Sequence, residues 1–247
     1  MAELVLKDVG IFVDGRDLSG DHNALTLTGT PDILDKTTFG STWRKKVAGL
    51  KTVEFNAQGF TNVAKSDPEY GADIASTGVV TITPTGGAVG EPAYMFQSIE
   101  SNYSPFNSGA VGELCPFDVT LTGAGEEFVK GKVLINTTSL SAATAGTAVA
   151  IGAVTTGNFL YGTVHITSVD TTGAGQDIRV AIQTDSSSGF GVSPTTQIAF
   201  TSSTGITGEW GTRVAGATTD TWARVNITIT SSSASYSVFS AVGESTY

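Results

Sequence analysis

Two histidines, one cysteine and 23 acidic residues are the side chains that could carry catalysis or bind metal in this 247-residue chain. His22 and His165 lie far apart, and Cys115 has no partner at metal-ligand spacing. Asp17, Asp21 and His22 cluster, but without the loop pattern of a calcium hand, and read as turn residues satisfying backbone amides. Asp170, Asp177 and Asp185 flank Gly/Ser turns, where calcium binding and ordinary strand-end aspartates look alike. No nucleophile elbow is present, and Ser and Thr are so abundant that one near a histidine is expected by chance. Nothing pairs two acids for glycoside hydrolysis, and Gly123-Ala124-Gly125 lacks the context of a dinucleotide site. His165 alternates with Val164 and Ile166, so it is expected on a polar strand face, at a surface or interface. Cys115, before Pro116-Phe117, is expected as a small buried hydrophobe. The expectation is a chain without enzymatic activity, metal or cofactor. Tyr161, Trp210, Trp222 and Tyr236 allow one rival chemistry, a sugar-stacking face, against a plain reading as sandwich core with Arg224 facing out.

The elements that must hold these residues are strands. Only 15% of residues are charged, 30 are Gly, and about 60 are Ser or Thr. Glu, Lys, Leu and Arg are too scarce for a helical bundle or coiled coil. Recurring Val/Ile/Phe runs argue against disorder, and one cysteine excludes a disulfide scaffold. Segments 79–83, 163–169, 178–184 and 224–230 alternate apolar with Thr, Asn, Gln, His or Arg, predicting strands with one buried and one wet face. Turn signals at 171–175, 185–189, 203–205, Gly211 and 231–233 recur at the spacing of a sandwich or barrel. One short helix is predicted within 61–76, near or beyond Pro68.

Net charge is −10, which excludes a basic nucleic-acid footprint. No apolar run reaches the length of a membrane helix, and Met1–Asp8 lacks the pattern of a signal peptide, giving an expectation of cytosolic synthesis. The three Asn-x-Ser/Thr matches at Asn102, Asn136 and Asn226 carry no meaning without secretion. Ten of the 13 Lys and Arg lie at or before Lys132; only Arg179, Arg213 and Arg224 follow. This shift predicts two domains, 1–132 and 133–247, with 136–157 as connector or as a strand pair.

The first half resembles the tail tube (major tail) proteins of long-tailed bacteriophages. The resemblance rests on an ordered set: Gly15-Arg16-Asp17-Leu18-Ser19, then Leu34-Asp35-Lys36-Thr37-Thr38-Phe39-Gly40, then Arg44-Lys45-Lys46-Val47-Ala48-Gly49-Leu50-Lys51, then the alternating strand Thr52 to Phe60. Gly112-Glu113-Leu114 before Phe117-Asp118-Val119-Thr120-Leu121 is similar to the stretch leading into that family's last tube strand. The second half is similar to a β-domain appended to many such proteins, through Val180 to Asp185, Ile198 to Thr201 and Thr219 to Val225.

This resemblance implies a mainly β fold: a tail-tube β-sandwich or barrel with one short helix, then a C-terminal antiparallel β-sandwich. It implies a structural virion protein of the tail, assembled in the host cytoplasm and self-associating into stacked rings that form the channel for ejected DNA. The implied partners are copies of itself, the tape measure protein and tail tip proteins, with DNA passing unbound and no membrane contact. Six chains would close a ring, or three if both domains are tube-like. On residue content alone, 35–51 is a solvated loop with Trp43 in the local core. The resemblance makes it an inter-ring docking loop carrying Asp35, Lys36, Phe39, Trp43, Arg44, Lys45, Lys46 and Lys51, with Gly40 and Gly49 as flexible points. Glu54, Asn56, Gln58, Asp118 and Thr120 are expected to face the lumen. The alternative function is a glycan-binding β-sandwich module of a phage or bacterial surface protein.

Overall fold

In a computed structural model, residues 6–108, 110–125, 128–171, 176–191, 194–211, 218–230 and 234–246 are described. The turn signals at 172–175 and 231–233, and Arg213, lie outside them. The fold is mainly β, with about 60% strand and one helix among the described residues. In chain order the elements are β1 (Gly10–Val13), β2 (Arg16–Asp17), β3 (His22–Asp35), β4 (Lys46–Phe60), α1 (Ser66–Ala72), β5 (Thr77–Thr83), β6 (Pro92–Ser104), β7 (Pro116–Gly123) and β8 (Val129–Leu140). They continue as β9 (Thr144–Ala145), β10 (Val149–Ala150), β11 (Asn158–Thr171), β12 (Ile178–Asp185), β13 (Thr195–Ala199), β14 (Thr207–Trp210), β15 (Trp222–Ile229) and β16 (Ala234–Thr246). The helix falls where its short apolar pattern places it.

The chain packs as two compact units, one of residues 1–20, 78–97 and 127–247, the other of 21–77 and 98–126. These units do not follow the cut expected at 132/133. That position lies inside β8, which pairs with β6 on one edge and β16 on the other. The drop in charge there marks a change in composition, while strand pairing decides what packs together.

The first unit contains the expected antiparallel sandwich. A sheet ordered β14-β11-β16-β8-β6-β5-β1-β2 faces a second sheet ordered β10-β15-β12-β13, with β9 also on β15. Leu134, Leu160, Val164, Ile166, Ile178, Val180, Ile182, Val225, Ile227 and Val238 fill the space between them. The first sheet curls until β1 and β5 lie across β11 and β16: Phe12 stacks on Phe239 at 4.0 Å, and Thr81 Oγ1 lies 2.9 Å from Thr163 Oγ1. The β1–β2 hairpin turns through Asp14-Gly15, both at positive φ (43° and 88°), the geometry that a tight two-residue hairpin requires.

This curl corrects two expectations. β12 and β15 keep one half-open face, as their alternation predicts. β5 and β11 are covered on both sides, so Thr81, Thr83, Thr163 and His165 are all fully buried. His165 is therefore not a surface residue. Its Nδ1 accepts the Gly15 N–H and its Nε2 lies 2.9 Å from Thr81 Oγ1. Burial lowers its pKa to about 3, which holds the ring neutral, and a neutral ring with an accepting Nδ1 has Nε2–H to donate.

In the second unit, β3, β4, β7 and residues 98–104 of β6 pair in that order. Val53, Phe55, Ala57, Phe117, Val119 and Leu121 line its buried face, and α1 adds Tyr70. Tyr70, Phe117, Tyr103 and His22 form an aromatic cluster, with the Tyr70 hydroxyl 3.1 Å from His22 Nε2. His22 is thus held by ring packing and by its contact with the Tyr70 hydroxyl.

Backbone crossing in the first unit is tightest where Gly131 faces Gly243 across β8 and β16. A Cβ on Gly131 would sit 2.1 Å from the Val242 carbonyl oxygen. Gly131→Val should cost about 1–3 kcal/mol and lower the melting temperature, whereas Gly20→Ala, in open space, should change stability by under about 0.5 kcal/mol. Equal melting temperatures for both variants would contradict the close crossing.

Candidate functional site

The β3–β4–β7–β6 sheet has a second face, and strand register decides its composition. Asn56 sits opposite Thr26 on one side and Thr120 on the other; Gln58 opposes Ala24 and Asp118; Glu54 opposes Thr28 and Thr122. Asn102 and Ser104 of β6 continue the rows beside Thr120 and Asp118. Successive side chains of a strand point to opposite faces, so all these residues share the side away from Phe55 and Tyr70. The five residues expected at a lumen are brought together on this one face, exposed or half-exposed. Sequence reasoning missed Thr26, Thr28, Asn102 and Thr122. The alternation of Leu25 and Leu27 with threonine in β3 is the signal that could have found the first two.

The face is a polar lattice. Asn56 Nδ2 donates to Glu54 Oε1 at 2.6 Å, and Thr120 Oγ1 donates to Asn56 Oδ1 at 2.7 Å. Asn107 Nδ2 donates to Asp118 Oδ2. At the registered positions the charged groups are the carboxylates of Glu54 and Asp118, with no Lys or Arg. Such a surface gives negative potential to whatever passes it and offers a polyanion no anchor.

The other candidate residues lie at the end of the β3–β4 hairpin. Asp35 pairs with Lys46, so the expected loop of 35–51 is shorter: 46–51 belongs to β4, and Gly49 is a strand residue. The remaining turn is tied by its own hydrogen bonds. Lys36 N–H donates to the Lys45 carbonyl, Lys45 N–H to Thr37 Oγ1, and Thr37 N–H to Asp35 Oδ1. Bonds from the Thr37 hydroxyl and amide hold the Asp35 carboxyl below its usual pKa. Phe39 and Trp43 point away from the chain, Phe39 wholly exposed and Trp43 83% exposed. Trp43 is therefore not in a local core. Ile33, Leu34, Val47 and Leu50 add apolar surface below the tip, among Lys36, Arg44, Lys45, Lys46 and Lys51. β3 pairs with β4 alone among the described residues, so no strand among them lies along its other edge.

The rival sugar face loses its rings. Tyr161 and Tyr236 are fully buried, Trp210 and Trp222 are half-buried, and Trp210 packs on Tyr161 at 43°. Arg224 stacks its guanidinium over Phe190 at 4.2 Å and donates to Gln183. Cys115 is half-buried, its Sγ 3.3 Å from the Pro105 carbonyl oxygen. Asp185 accepts the Ser187 N–H, as a turn aspartate does.

No family model matches the chain, and no curated protein matches it. Among solved structures it is similar to a chain of the virion of a native gene transfer agent particle, at 15% identity and TM-score 0.41, covering 49% of this chain and 95% of that one. It is also similar to the SPP1 Dit protein, a hub of the adsorption apparatus in phages infecting Gram-positive hosts, at 11% identity and TM-score 0.35, covering 97% and 100%. A chain of the phage p2 baseplate in its activated conformation with Sr matches at 7% identity and TM-score 0.33, covering 97% and 98%.

One acid of the second unit is out of its usual state. Glu100 is buried on β6, its Oε1 lacks a hydrogen-bond partner, and burial first, then Asp73 and Glu69, raise its pKa to about 8. The folded protein therefore holds a proton there that the unfolded chain releases above its ordinary value near 4.5. Stability from this group is complete below pH 4.5 and is lost as pH rises through 8. Glu100→Gln should melt higher than wild type at pH 8, with the gap closing toward pH 4.5. A constant gap across that range would show that Glu100 ionises normally. His165 acts oppositely below pH 6.5, so the variant-minus-wild-type difference is the quantity to measure.

Proposed function

We propose that this chain is the tube subunit of a phage-type tail, self-assembling into stacked rings around a channel that conducts DNA. The observation that carries the reading is the β3–β4–β7–β6 sheet of the second unit. It combines a cation-free polar face, an unpaired edge strand and an exposed basic-aromatic hairpin. Each answers one requirement of a tube. A ring needs a strand edge to continue its sheet into the next copy. Stacking needs a projection beyond the ring. A conduit needs an inner wall that does not hold phosphates.

Both assembly features lie in the second unit, residues 21–77 and 98–126, so this unit is assigned the tube role and the sandwich of the first unit that of the appended β-domain. The ring contains six chains. Glu54, Asn56, Gln58, Asp118 and Thr120 line its lumen, and the hairpin with Phe39 and Trp43 docks between rings. The tape measure and tail tip proteins are its partners inside and below the tube, and the virion tail is its place. The sandwich of the first unit buries the tyrosines that a glycan-binding module needs outside, so that alternative has less to stand on.

Electron microscopy of the purified protein under assembly conditions tests the reading. Hollow tubes of regular axial repeat are the expected result; particles that stay monomeric at high concentration would refute it. A second test addresses the lumen. Tubes of Glu54→Lys/Asp118→Lys should retain short duplex DNA at low salt, whereas wild-type tubes release it. Equal retention by both would place these residues away from the channel.

A further inference from the structure

The same sheet carries a second apolar projection, at the end opposite the hairpin. β4 runs from Lys46, at the hairpin, to Phe60, which pairs with Pro116 at the start of β7. The β6–β7 loop therefore lies roughly 45 Å of strand path from the hairpin tip, at about 3.3 Å per residue over β4. On this loop Phe106 is 79% exposed, Leu114 69% and Val111 fully so. Val63, three residues past the end of β4, is 80% exposed. The base of the loop is firmly tied: Thr61 N–H donates to the Cys115 carbonyl, Thr61 Oγ1 to the Pro105 carbonyl, and Asn107 N–H to the Pro116 carbonyl. The apolar groups thus stand on a fixed platform facing solvent.

The two ends also differ in charge. Residues 36–51 hold five of the 13 Lys and Arg of a chain whose net charge is −10. At the far end Asp21, Asp67 and Glu113 are exposed or half-exposed, opposed by Lys65. A basic apolar end and an acidic apolar end on one rigid sheet cannot satisfy themselves within one copy, but they complement each other between copies. That is the arrangement of a heterologous, head-to-tail contact, which repeats along an axis without closing.

Resting on the tube reading, we infer that the acidic, apolar β6–β7 loop is the receiving surface for the hairpin of a second copy in the adjacent ring. Phe39 and Trp43 pack against Phe106, Val111 and Leu114, while Arg44, Lys45 and Lys46 approach Glu113 and Asp67. Aromatic anchors supply the short-range energy, and opposed charge fixes the direction of stacking.

Two variants of exposed residues test this, each checked for a wild-type melting curve and circular dichroism spectrum. One disables the tip (Phe39→Asp/Trp43→Asp), the other the loop (Val111→Asp/Leu114→Asp). Each alone should stop at single rings, shortening tubes at least tenfold by electron microscopy. Mixed in equal amounts, they should form two-ring particles, because each retains the end that the other lacks. Full-length tubes from the loop variant would overturn the inference, as would rings that fail to pair on mixing. Either result leaves the tube reading standing if wild type forms tubes; a wild type that forms no tubes at all removes both.

Discussion

The register of β4 between β3 and β7 is the constraint on which the second unit depends. With Phe55 opposite Leu27 and Leu121, residues 53, 55, 57 and 59 of β4 face the buried side with Tyr70, and the even-numbered residues 54 to 58 face out. A slip of one residue would turn Glu54 and Asn56 toward Tyr70 and push Phe55 and Ala57 into water. An unpaired carboxylate moved into that cluster costs several kcal/mol, and the exposed Phe side chain forfeits roughly 1.5–3 kcal/mol. Register is therefore held by the difference between the two faces, and the same difference leaves one face polar and open. The polar face follows from the same alternation that builds the core.

How far the sequence disclosed this depended on how many faces of each strand are covered. Where one face stays open, as in β4, β12 and β15, alternation located both strand and inward residues. Where the sheet curls over itself, alternation misleads: threonine at 81 and 163 and histidine at 165 look like wet positions and are buried among one another. Polar side chains can occupy such an interior only as a mutually bonded set, and a spacing of 82 or 84 residues hides that set from any local pattern. The hairpin was legible in residue type but not in extent, because Ala48-Gly49-Leu50 shows no alternation although it lies in a strand. The surface of the β6–β7 loop was not legible at all: nothing in the pattern around Phe106, Val111 and Leu114 marks them as exposed.

The open edge of β3 makes a similar point about what the chain protects. Edge strands are commonly guarded by lysine, proline or bulges. β3 has one proline, Pro31, with an irregular register beside it toward the hairpin end, and a second irregularity between His22 and Ala24 at the other end. Residues 24–30 carry no charge and no proline. The irregular portions of the edge are its two ends, and the regular, unguarded portion is the middle, beside the polar face. If β3 were an ordinary edge, this placement would leave its most regular segment open to indiscriminate pairing. On the proposed reading, in which this segment pairs with one neighbouring copy, there is no such conflict, since guarding would block that pairing.

Charge then sets the scale on which copies can meet. At −10 per copy, chains repel one another at long range, and at physiological salt that repulsion is screened beyond about 8 Å. Attraction must therefore be built from groups that come into contact. Five of the 13 basic residues are gathered at the hairpin, beside the most exposed aromatic side chains, while Asp21, Asp67 and Glu113 lie at the far end of the sheet. A uniform scatter of the same residues would give each copy the same net charge but no preferred orientation. Gathering five of them at one end turns a uniformly repulsive particle into a polar one, and this polarity is what the proposed one-directional stacking would use.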